Sequence, residues 1–163
     1  MKKIFVLACT ILILLLVDNC VSPFIGINGY SPSFLFVFAL SYSIISGEWS
    51  CIWIGIVTGF LQDINFFNGL GANLFTNVLL CFVAGQIGKN LFKEKIFMPT
   101  ISIFGLAFIK GILLFVILYM CGEFTNIYFS FYNALYDFVV AILIYRITYK
   151  LCQKEYMIKT WKF

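Results

Sequence analysis

Within an apolar stretch of the chain, Gly55, Gly59 and Asp63 fall at i, i+4 and i+8, so two glycines and a carboxylate share one helical face. On a membrane helix, glycines four apart let a second helix approach closely. An aspartate toward the helix end is too costly to point at lipid and turns to a partner or to water. This face is built for contact, and with Asn73 it is read as a partner interface. Two further charges lie at membrane depth. Lys110 is about 11 residues from either end of its apolar segment, or about 16 Å at 1.5 Å per residue. Asp137 lies at a similar depth in the next segment, and the short 122–127 loop makes the two helices antiparallel neighbours. A buried ion pair between Lys110 and Asp137 is the simplest solution for both. A proton relay would need more ionisable groups at depth, whereas Asp18 and Asp63 both sit near helix ends.

The remaining polar groups give no reaction centre. Asn73, Asn77, Asn133 and Thr76 can bond between helices, and serines in the apolar segments can bond back to their own helix. Histidine, the usual general base and metal ligand, is absent. No Gly-x-Ser-x-Gly elbow, His-Glu-x-x-His pair or phosphate-binding Gly-Lys-Ser/Thr loop occurs. Six cysteines are scattered without Cys-x-x-Cys spacing, as small apolar filler would be. The expectation is no catalytic, metal or cofactor site. The aromatic residues read as packing and interfacial belts, with Trp49, Trp53 and Trp161 near one boundary.

These residues need a membrane scaffold. A chain of 163 residues that is 63% hydrophobic, 11% charged and of mean hydropathy +1.02 is too apolar for a soluble globular protein, in which about a quarter of residues are charged. The length allows one transmembrane domain, 1–163, with no soluble domain attached. The net charge of +4 comes from lysines at the chain ends and in one loop, where topology explains them better than nucleic-acid binding does.

Lys2-Lys3 followed by an apolar run resembles a signal peptide, but no small-x-small cleavage site follows, so the first helix is read as uncleaved, over about 4–21. The next apolar stretch is too long for one span and breaks at Ser46-Gly47-Glu48, giving helices of about 33–46 and 49–64. Three more follow, at about 71–92, 99–121 and 128–151. The expected fold is an all-α, six-transmembrane-helix bundle. Lys2, Lys3, Lys89, Lys93, Lys95, Arg146, Lys150, Lys154, Lys159 and Lys162 then fall on one side, which the positive-inside rule makes cytoplasmic together with both termini.

The order of Gly55-x-x-x-Gly59-Phe-Leu-x-Asp63, Gly69-Leu-Gly71-Ala-Asn73, an apolar helix ending Gly85-Gln-Ile-Gly88, a basic loop, and Tyr132-Asn133-Ala-Leu in the last span resembles the rod shape-determining protein MreD family. The likeness covers nearly the whole chain. One departure is that Ser31-Pro32-Ser33 stands where the family usually has Pro-Asp. The resemblance implies a non-enzymatic subunit of the cell-wall elongation machinery in the bacterial inner membrane. Its partners would be an MreC-like protein that meets the Asp63 end of the glycine face, with MreB, RodA and a class B penicillin-binding protein nearby. It also implies a fold similar to the S component of energy-coupling-factor transporters. A small-molecule-binding S component is the alternative function, although the first helix lacks the Ala-x-x-x-Ala face by which such components dock.

Overall fold

The computed structural model describes residues 2–26, 32–46, 49–65, 71–90, 97–120, 122 and 127–154. Among them all regular structure is helical: α1 (Lys2–Cys20), α2 (Ser22–Ile25), α3 (Phe34–Ser46), α4 (Trp49–Asn65), α5 (Ala72–Asn90), α6 (Phe97–Met120) and α7 (Ile127–Cys152). The single-turn α2 was not anticipated. It begins at Ser22-Pro23, where proline's fixed φ suits a first helical turn and its missing N–H costs nothing. The Gly47-Glu48 break, Gly69, Lys93, Lys95, Lys159, Lys162 and Trp161 lie outside the described residues, as does the side chain of Trp49.

Among the described residues two helices are long and apolar enough to cross a membrane: α1, of mean hydropathy 2.2, and α6, of 2.6. The 13 residues of α3 reach only about 20 Å, against about 30 Å for a bilayer's hydrocarbon core. That short helix is nevertheless the centre of the fold. Its sequence carries no charge and is apolar all round, the pattern of a helix covered on every side, and Leu35 to Ile44 are all buried. Around it α4, α5, α6 and α7 pair in chain order, and all four touch α3. The largest side chains of the core, Phe36, Leu40, Tyr42, Leu80, Ile103 and Tyr145, come from α3, α5, α6 and α7.

Close approaches set the α5 position. Cβ atoms added at Gly55 and Gly59 of α4 would stand 2.9 Å from Val78 Cα and 2.6 Å from Leu74 Cα, both backbone atoms of α5. At the other end of α5, a Cβ on Gly88 would collide with the Ile44 carbonyl oxygen of α3. Glycine therefore brings α5 onto two helices at once. By contrast α1 packs chiefly on α3, with Ile11 its one buried residue and Leu7, Leu14 and Leu15 leaning on the core. Ser41, Ser43, Thr58, Thr76 and Thr148 each donate to the carbonyl four residues back, so these hydroxyls are satisfied within their own helices.

Candidate functional site

The first amides of a helix have no partner inside it, and Ser33, Phe34 and Leu35 open α3 deep in the bundle. Two carboxylates from distant parts of the chain satisfy them. Asp18 of α1 accepts from the Phe34 amide through Oδ1 at 2.7 Å and from the Leu35 amide through Oδ2 at 3.1 Å. Asp137 of α7 accepts from the Ser33 amide through Oδ1 at 2.8 Å. Both anions sit at the positive end of the α3 dipole. Although Ser31-Pro32-Ser33 carries no acid, α3 thus has anionic caps from α1 and α7.

Side chains carry the network onward. The Gln62 amide nitrogen donates to Ser33 Oγ at 2.7 Å, while Gln62 Oε1 accepts from Asn77 Nδ2 at 2.8 Å and from Lys110 Nζ at 3.1 Å. An ammonium only donates, so Lys110 fixes which end of the Gln62 amide faces it, and Gln62 in turn fixes Asn77. Among the described residues, Asn77 Oδ1 is left buried without a donor, as is Asn133 Oδ1. Lys110 also lies over the Phe36 ring, 3.9 Å from its centroid, where the ring's negative face attracts the cation.

Lys110 and Asp137 are 8% and 6% exposed and enter one cluster, yet the ammonium's hydrogen bond goes to Gln62. Among the described residues no direct Lys110–Asp137 salt bridge forms. The connection between the two runs through Ser33 and Gln62. Matched depth brought the two groups to one level, but a carboxylate already engaged by the α3 amide leaves the ammonium to an uncharged acceptor.

Asp63, 3% exposed, caps α5. Its Oδ2 accepts from the amides of Gly71 at 3.0 Å and Leu74 at 2.9 Å, and its Oδ1 from the amide of Asn73 at 3.0 Å. Gly71 has φ +100°, a left-handed conformation that costs a residue with a Cβ about 1–2 kcal/mol. The structure therefore gives the face of Gly55, Gly59 and Asp63 a neighbour inside the chain, α5, where the sequence suggested one outside it. The Asn73 side chain is half-buried beside this cap.

Sequence reasoning passed over Gln62 and Ser33, which join the cluster's two charged ends. A signal for Gln62 existed, because it lies seven residues after Gly55 and three after Gly59 and so shares the glycine face. Side chains from α1, α4, α5, α6 and α7 meet α3 here at one level, an arrangement suited to holding a bundle in register. Among the described residues no three His, Cys, Asp or Glu side chains converge as a metal site requires.

Comparison with known proteins places the chain. The family model described as rod shape-determining protein MreD matches residues 1–155. No curated protein and no solved structure matches the chain.

Proposed function

The chain belongs to the rod shape-determining protein MreD family, a family of membrane proteins that determine cell shape, and from that membership we propose that it is a non-enzymatic inner-membrane subunit of the bacterial wall-elongation complex. In this reading it binds an MreC-like protein and helps position peptidoglycan synthesis, with MreB, RodA and a class B penicillin-binding protein nearby. The family match over 155 of the 163 residues carries the reading. It favours shape determination over small-molecule transport.

A multi-pass topology with both termini cytoplasmic fits this role, since the basic residues at the α5 and α7 ends would then lie on one face. Gly55, Gly59, Asp63 and Asn73 serve recognition by shaping the α4–α5 pair: the glycines hold the two helices in contact, and Asp63 caps the start of α5. The partner then reads the outer end of that pair. The test is affinity purification of the full chain in mild detergent from rod-shaped cells. MreC-like and wall-synthesis proteins should come along, and their absence beside a co-purifying ATPase transport module would overturn the reading.

A further inference from the structure

Resting on the multi-pass reading above, we propose that the exposed side of α7 holds an anionic phospholipid in the leaflet at the helix's C-terminal end. Val139, Leu143, Arg146, Ile147 and Lys150 are all exposed, and at about 100° per residue they fall on one stripe opposite the buried Ala134, Asp137, Ala141, Ile144 and Thr148. The upper part of the stripe is strongly apolar, with Val139 62%, Leu143 65% and Ile147 65% exposed. Its lower part carries two cations one helical turn apart, at i and i+4.

That placement asks for an anion. Like charges at i and i+4 repel, and α7 supplies no acidic residue after Asp137 to offset them. Arg146 stands six residues before the helix end at Cys152, about 9 Å along the axis, and in a membrane-spanning α7 a long side chain there reaches down toward the headgroups to keep its charge solvated. Lys150 occupies the direction in which it reaches. A phosphate bridging the two, with its acyl chains along Leu143 and Val139, neutralises the pair and covers the apolar stripe. Arginine's planar fork suits the phosphate oxygens, and lysine adds a point charge. An anionic headgroup fits this pair better than a zwitterionic one, whose own ammonium would compete for the phosphate.

The full-length chain in mild detergent, titrated with phosphatidylglycerol or phosphatidylcholine and followed by native mass spectrometry, tests this. The wild-type chain should retain phosphatidylglycerol in preference. At about 1 kcal/mol for each surface cation, Lys150→Gln should weaken retention about fivefold and the double variant Arg146→Gln/Lys150→Gln about thirtyfold. The charge-keeping double variant Arg146→Lys/Lys150→Arg should retain the preference, as should Lys89→Gln on α5. Equal retention of the two lipids by the wild type would overturn the proposal. So would an undiminished preference in the Lys150→Gln and double variants, or displacement of the lipid by excess inorganic phosphate.

Discussion

Replacing Gly59 with alanine adds one methyl group at the tightest point between α4 and α5. The new Cβ would meet Leu74 Cα at 2.6 Å, Asn73 O at 2.9 Å and Leu74 N at 3.1 Å. All three are backbone atoms, which cannot swing aside as a side chain can. Ordinary carbon contacts need about 3.5–4.0 Å, so α5 must retreat by about 1 Å at this level. One turn farther along α4, Asp63 holds the start of α5 by bonds of 2.9 and 3.0 Å, which a shift of that size would stretch beyond the useful range of about 3.2 Å. Overpacking of this kind costs about 1–3 kcal/mol, and a weakened cap adds about 1 kcal/mol, giving about 2–4 kcal/mol in all. Gly105 of α6 is the internal control: nothing lies within 4 Å of its Cβ position, so alanine there should be neutral or stabilising by up to about 1 kcal/mol. Unfolding of both purified variants in mixed micelles, followed by circular dichroism against a rising fraction of denaturing detergent, measures the difference. A Gly59→Ala chain as stable as Gly105→Ala would refute the reasoning, because it would mean α4 and α5 do not touch through this face.

Asp63→Asn keeps the size of the cap but leaves one acceptor oxygen for three amides, and should lower stability by about 1–3 kcal/mol in the same assay. Gly71→Ala should cost about 1–2 kcal/mol through its left-handed φ alone, with no steric contribution because nothing lies within 4 Å of its Cβ position. Lys110→Met and Asp137→Leu should each be strongly destabilising by about 3–5 kcal/mol, and the double variant should recover only part of the loss. Full recovery would show that Asp137 does little for the Ser33 amide, and no recovery would show that the two charges are uncoupled. A reporter active only outside the cytoplasm, fused after residue 163, should stay silent in cells if both termini face inward.

Spacing made the contact face of α4 legible, because i, i+4, i+8 fixes an azimuth on one helix whatever surrounds it. It could not say whose backbone would fill the groove. That depended on Gly71 being left-handed and on Asp63 gathering the amides of Gly71, Asn73 and Leu74 at the start of α5. Depth was legible for Lys110 and Asp137 in the same way, since counting residues along a helix gives height. Height alone does not give the rotation that turned Lys110 toward Gln62 and Asp137 toward Ser33. Asp18, read as lying near a helix end, acquires its role from the packing of α1 on α3, a pairing that neither hydropathy nor charge encodes. The uncharged composition of α3 did foreshadow a covered helix, yet its short length concealed that it would be the centre.

The bond from the Ser33 amide to Asp137 joins residues 104 apart in the chain, whereas the bond from Phe34 to Asp18 joins residues 16 apart. Synthesis therefore delivers the two caps of α3 at different times. When α3 leaves the ribosome Asp18 is already available, but the helices that cover its remaining flanks, α4 to α7, have yet to be made. A chain interrupted before α7 carries a Ser33 amide without its Asp137 acceptor and an α3 flank that α7 would cover. Folding cannot then finish helix by helix: α3 stays incompletely capped until α7 arrives. Helix α7 is the clasp whose arrival completes the cap on α3.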